Sequence, residues 1–340
     1  MSSKGGAGIA AKRLHDALQE SGINTQNFLE PSAGIGSFIQ SFADKDFTKV
    51  TAYEKDLLTG KILQQLYPEN TIRIKGFEEI SEKEKNSYDI VASNIPFGDT
   101  SVFDLSYSRS NDSAKMQAVK SIHNYFFLKG TNMIRNGGIL AFITSQGVLN
   151  SPKNETIRRA LMQNNNLVSA IRLPNNLFSD YAGTEVGSDL IILQKNTQKK
   201  NLNEAEELFC QSSLTEHNTP GNSFFKENER IIHTDFVLST DPYGQPALVY
   251  THRDGVAGIA KELKQMLSED FSNRLDIKLN RGERNDEPFL PISRTPQPAP
   301  TATQPVTIKP ETQVSFTPVK ERDIIIKENK QLSIFDLFEE

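Results

Sequence analysis

Leu29-Glu30-Pro31-Ser32-Ala33-Gly34-Ile35-Gly36 follows a short apolar run and precedes a helix-forming one. Further along, Ser93-Asn94-Ile95-Pro96-Phe97-Gly98 follows a second apolar run, Ile90-Val91-Ala92. Two loops of this kind, each at the exit of a strand, define a sheet whose strand ends carry the chemistry. Outward from them, residues 28–195 alternate between strand-like and helix-like periodicity. Strands are expected at Asn27–Glu30, Lys49–Glu54, Thr71–Lys75, Tyr88–Ala92, Ile139–Thr144, Leu167–Leu173 and Val186–Gln194. Helices are expected from Gly36, at Leu57–Tyr67, at Glu155–Asn164, and as one long element from Met116 to Ile134 closed by Asn136-Gly137-Gly138. Such alternation implies an α/β fold with a mostly parallel sheet, and the last two strands, joined by a loop, are expected to make an antiparallel edge.

In the first loop, Gly34 and Gly36 allow positive φ and close approach of a ligand, while Pro31, Ser32 and Ala33 keep the floor small. The helix that follows offers free amides. Glu54 ends the next strand, where an acid can bind two ribose hydroxyls. The loop begins with Glu30 and lacks the Lys-Ser/Thr of a phosphate-binding loop. An acid there disfavours phosphate and suits an uncharged ribose and a cationic sulfonium, which points to S-adenosyl-L-methionine over NAD or ATP. After the third strand, Phe77 and Glu78 are candidates to sandwich an adenine and accept from its amine; a plain surface turn is the alternative.

The second loop has the residue types needed to activate an aromatic amine, whose lone pair is delocalised into its ring. The Asn94 side-chain oxygen is one acceptor for its N–H groups, and the Ile95 carbonyl, restrained by Pro96, is the other. Phe97 can stack on the base. The sulfonium methyl is a strong electrophile, so positioning and electrostatics suffice and no metal is needed.

Together, Glu30 to Gly36 and Ser93 to Gly98 resemble the N6-adenine DNA methyltransferases in which the cofactor motif precedes the catalytic one. The closest likeness is to methylase domains of bacterial plasmids and conjugative elements, often found beside a helicase domain. Leu173-Pro174-Asn175-Asn176-Leu177-Phe178 and Gly183-Thr184-Glu185-Val186-Gly187-Ser188-Asp189 extend the resemblance over residues 28–195. It implies a Rossmann-like S-adenosylmethionine-dependent methyltransferase fold. It also implies Asn94, Pro96 and Phe97 as catalytic or base-binding residues, Glu30, Gly34, Gly36 and Glu54 as cofactor ligands, and DNA as substrate. The family's Thr-Pro-containing segment before the cofactor motif has no counterpart in residues 1–27, and the Pro usual at the second position of the catalytic motif is Ile95 here. The same chemistry serves protein glutamine amides and RNA adenines, and a non-catalytic accessory protein of a mobile element is a further alternative.

The rest of the chain bounds these readings. A net charge of −5 argues against a tight non-specific DNA binder. A single cysteine, Cys210, excludes an intrachain disulfide, and the five histidines are read as packing or surface residues. No apolar run approaches a membrane span, and Met1–Ala11 lacks a signal-type apolar core, so the cytoplasm is the expected location. The domain reading is an N-terminal helical segment over 1–27, the methyltransferase domain over 28–195, and a small α+β region over 196–286. Eight prolines fall between Glu287 and Pro318, so 287–326 is expected to be a disordered tether. Within 327–340, Gln331, Leu332, Ile334 and Phe335 resemble the peptide with which bacterial proteins dock on the DNA polymerase sliding clamp; a short helix packing on its own domain is the alternative.

Overall fold

Strands β1 (Asn27–Glu30), β2 (Lys49–Tyr53), β3 (Thr71–Arg73), β4 (Tyr88–Asn94), β5 (Ile134–Ser145), β6 (Asn165–Leu173) and β7 (Ser188–Lys195) form one sheet in the order β3-β2-β1-β4-β5-β7-β6. The first five are mutually parallel; β7 runs against β5, and β6 against β7. This is the Rossmann-like class I methyltransferase fold, with its antiparallel edge where the sequence places it. The computed structural model describes residues 5–43, 48–98, 100–178, 187–225, 229–240, 244 and 246–283. The Pro-rich stretch and the peptide with Gln331, Leu332, Ile334 and Phe335 lie outside the described residues.

The central strands read as unbroken apolar runs because both of their faces are buried. On β4, Ile90 and Ala92 enter one core layer and Val91 the other. On β5, Ile139, Ala141 and Ile143 alternate likewise with Leu140 and Phe142. Helices α1 (Gly6–Glu20), α2 (Ile39–Ala43) and α3 (Leu57–Leu66) precede α4 (Leu105–Ser108), α5 (Ser113–Ala118), α6 (Ile122–Met133), α7 (Gly147–Asn150), α8 (Glu155–Gln163) and α9 (Glu204–Cys210); α10 (Gly255–Arg274) and α11 (Ile277–Arg281) close the described chain. Helix α10 sends Ile259, Leu263, Leu267 and Phe271, four residues apart, into the layer that holds Ala10, Leu14 and Leu18 of α1. Residues up to Asp286 cluster as one compact unit. Hairpins β8–β9 (Ser212–Leu214, Pro220–Asn222) and β10–β11 (Asp235–Thr240, Pro246–Thr251) follow the sheet. No helix among the described residues is long and apolar enough to cross a membrane.

Three expectations are corrected. The long helix over 116–134 is two helices: the Val119 carbonyl accepts from the Val102 amide (2.8 Å), and Ser121 turns extended (φ −146°) before α6 begins. Gly137 does not end a helix. It lies inside β5 with φ +75°, where pairing with β4 jumps from Tyr88–Ile134 to Ile90–Ile139. A Cβ there would fall 2.3 Å from the Leu279 carbonyl oxygen, so α11 can pack on β5 only over a glycine. The helix expected from Gly36 starts at Ile39, because Gly36 itself sits at φ +88°.

Candidate active site

The parallel strands bring the ends of β1, β2, β3, β4 and β5 to one edge. A cavity of about 700 Å³ lies at the opposite edge, among Asn27, Lys49, Thr71 and Tyr88, and so takes no part in the site.

The loop after β1 is shaped by its glycines. At Gly34 (φ +53°) a Cβ would meet nothing within 4 Å, so the space above the bend is open while the backbone excludes an L side chain. At Gly36 a Cβ would come within 2.4 Å of the Tyr67 ring, whose hydroxyl donates to the Gly36 carbonyl (3.2 Å). Glu54 reaches across from β2: one carboxylate oxygen accepts from the Gly34 amide (2.8 Å), the other from the Asp56 amide (2.9 Å). Each oxygen keeps a lone pair for a hydroxyl, and Glu54 is half-buried, so it fits the role of a ribose ligand.

Glu30 does something else. It is 2% exposed, and its carboxylate accepts from the amides of Ile39 (3.1 Å) and Phe38, holding the start of α2 against the loop. Burial pushes its pKa well above the ordinary carboxylate range, against the pull of those two amides. Pro31 and Ala33 are buried and Ser32 half-buried beneath the bend.

The Ser93–Gly98 loop is tied to the glycine loop after β1. Ser93, fully buried, donates its hydroxyl to the Ser32 carbonyl (2.9 Å). Asn94 is the last residue of β4, paired with Ile143, and the Ile95 amide donates to the Ile143 carbonyl (3.1 Å). The Ile95 side chain is 1% exposed within the core. Pro96 and Phe97 are half-buried, and Gly98 turns the chain at φ +134°. The side-chain oxygen of Asn94 is shielded from water and has no hydrogen-bond partner. A buried acceptor left so costs about 1–3 kcal/mol, and an arriving N–H recovers it.

Phe77 is not a free stacking surface. Its ring is 2% exposed, packed 5.1 Å from Phe126 and 6.4 Å from Tyr125, because its turn follows β3 directly onto α6. Glu78 pairs with Lys55 (2.7 Å), so this turn offers a polar wall and not an aromatic face. The chain beyond the Ser93–Gly98 loop is anchored by Asp104, which accepts from the Tyr125 hydroxyl (2.6 Å) and lies 3.4 Å from the Lys129 ammonium. Burial raises the Asp104 carboxyl, but hydrogen bonds from Ser106 and Tyr125 and the charge of Lys129 outweigh it and hold it at about 2.

Sequence reasoning did not single out Ser93 as a tie between loops, although a polar residue ending the run Ile90-Val91-Ala92 was a visible signal. It also missed the role of the Asp56 amide, and the polar residues Gln146, just beyond β5, and Ser188, which opens β7.

A loop of this shape, an acid at the next strand tip and an asparagine beside it, on this sheet, define a class I S-adenosylmethionine-dependent methyltransferase. A model of the family "N-6 DNA Methylase" matches residues 63–237, and the chain belongs to that family. "Defense against restriction protein B" of Escherichia phage P1 is 27% identical over 276 residues, which are 78% of this chain and 11% of that protein. The methylase subunit of the type I restriction enzyme MpnII of Mycoplasma pneumoniae is 27% identical over 139 residues, 38% of this chain and 25% of that subunit. Against these two relatives the chain spans a quarter of their length or less. The type I restriction-modification methyltransferase subunit of Streptococcus thermophilus is similar in structure at a TM-score of 0.47, with 14% identity, over 79% of this chain and 58% of that one.

Proposed function

We propose that this protein transfers a methyl group from S-adenosylmethionine to the exocyclic amine of adenine in DNA. The observation that carries the reading is the orphaned, water-shielded Asn94 oxygen at the tip of β4, stitched through Ser93 to the glycine bend. When bound, the cofactor supplies an electrophilic methyl. The chain's part is positioning. Gly34 leaves the space over the bend, Gly36 and Tyr67 set its curve, and Glu54, held by the Gly34 amide, would bind the ribose hydroxyls. Asn94 Oδ1 and the Ile95 carbonyl accept from the amine and favour a pyramidal nitrogen with an available lone pair. Phe97 stacks on the base and Pro96 fixes the carbonyl before it. A base within a duplex must leave the stack to reach this point.

DNA is the proposed partner. A clamp contact through Gln331, Leu332, Ile334 and Phe335 rests on the sequence alone, and so does a helicase partner subunit. The test is expression in a host that lacks adenine methylation, with genomic DNA digested to nucleosides. N6-methyladenine in that digest, absent when Asn94→Ala is expressed, is the expected result. Label confined to RNA or to protein glutamine would replace this reading with one of its rivals.

A further inference from the structure

Three of the buried polar atoms without a partner lie at the same sheet edge: Asn94 Oδ1, Gln146 Nε2 and Ser188 Oγ. The register brings them together. Asn94 pairs with Ile143 on β5, Gln146 follows three residues later, and Ser188 pairs with Ser145 across the start of β7. The Gln146 amide donates its backbone N–H to the Gly187 carbonyl (3.1 Å). Gly187 is also what makes room for the side chain: a Cβ there would fall 2.3 Å from both Cδ and Nε2 of Gln146. Ser188 is fully buried. The fold thus brings to one sheet edge an orphan acceptor, an orphan amide donor and an orphan hydroxyl, none of them satisfied by the others. This is an unusual concentration, because buried polar groups are nearly always paired.

The set matches one edge of adenine. Its amine donates, and the ring nitrogen on either side of that amine accepts. An asparagine or glutamine amide reads such an edge with an oxygen and a nitrogen together. Cytosine, by contrast, has a C–H on one side of its amine. Resting on the function proposed above, we infer that Gln146 is a base-selecting residue: its amide nitrogen donates to a ring nitrogen beside the amine that Asn94 holds, with Ser188 as a companion donor. The motif around Gly187-Ser188-Asp189 thereby gains a role, which is to shape the pocket for Gln146.

The test uses the full chain and DNA amplified with dATP, with its 7-deaza analogue or with its 1-deaza analogue. Each analogue replaces one flanking ring nitrogen by C–H. The wild type is expected to methylate one of the two analogue DNAs about 10- to 100-fold more slowly than natural DNA. Gln146→Ala is expected to be slower on natural DNA by a similar factor and to lose that discrimination. Its melting temperature should not fall, since the side-chain nitrogen makes no hydrogen bond to lose. Gln146→Glu, an acceptor in place of a donor, should be slower still. Equal rates on all three DNAs with the wild type, or unchanged discrimination in Gln146→Ala, overturn the inference while leaving the methyltransferase reading intact. A wild type that methylates no DNA adenine overturns both.

Discussion

Replacing Asn94 by Ala separates stability from chemistry, because the structure gives the two effects opposite sizes. The Asn94 side-chain oxygen has no hydrogen-bond partner, so truncation breaks no bond to it. Removing a buried unsatisfied acceptor relieves about 1–3 kcal/mol, and losing the packing of a half-buried amide costs a comparable amount. The net change should lie within about 1 kcal/mol of zero, a shift in melting temperature of no more than about 2–4 °C for a unit of this size. Transfer is different. A group that stabilises the reacting amine only as the transition state forms is worth about 2.7–4 kcal/mol, or a 10²- to 10³-fold loss in rate. Cofactor affinity should hardly change, since the glycine bend and Glu54 are untouched. The assay is thermal unfolding and cofactor calorimetry on the same preparation, with transfer of labelled methyl to DNA. A fall in melting temperature of roughly 8 °C or more, or transfer within tenfold of wild type, would refute the reasoning.

Three further outcomes follow from the same geometry. Gly36→Ala combines a strained φ of +88° with a Cβ 2.4 Å from the Tyr67 ring, and should destabilise by about 2–4 kcal/mol in denaturant titration. Glu54→Ala leaves the Gly34 and Asp56 amides without their acceptor and removes the ribose ligand; calorimetry should show cofactor affinity down about 10- to 100-fold. Glu30 sets a pH dependence. Its pKa is raised in the folded state, so its contribution is fully present below the unfolded carboxylate value and is lost as pH rises through the folded one. Glu30→Gln should therefore flatten the fall in stability between acid and neutral pH, as read by unfolding free energies across that range; an unchanged slope would mean the carboxyl ionises freely.

How much of this could be read in the sequence depends on the range of the interactions involved. The placement of Gly34, Gly36, Glu54 and Asn94 at strand ends was legible, because strand ends show in apolar runs such as Ile90-Val91-Ala92. Gly137 was misread because positive φ serves a helix end and a strand irregularity equally. What decides between them is the approach of Leu279 and Asn280, and the Asn280 side chain donates to the Gly137 carbonyl across 143 residues (2.7 Å). The break between α5 and α6 depends on Val102, outside either helix. Glu30 looked like a ligand because it opens the motif, yet its carboxylate is occupied by the Phe38 and Ile39 amides. The lack of a partner at Asn94, Gln146 and Ser188 is a property of three-dimensional surroundings, and no pattern of letters carries it.

The central claim is tested most directly by incubating purified full-length chain with methyl-labelled S-adenosylmethionine and unmethylated duplex DNA, then digesting the DNA to nucleosides and separating them. The account predicts label in N6-methyldeoxyadenosine from the wild type and a loss of at least about a hundredfold with Asn94→Ala. Label in a modified cytosine, or equal labelling by the wild type and Asn94→Ala, would contradict it.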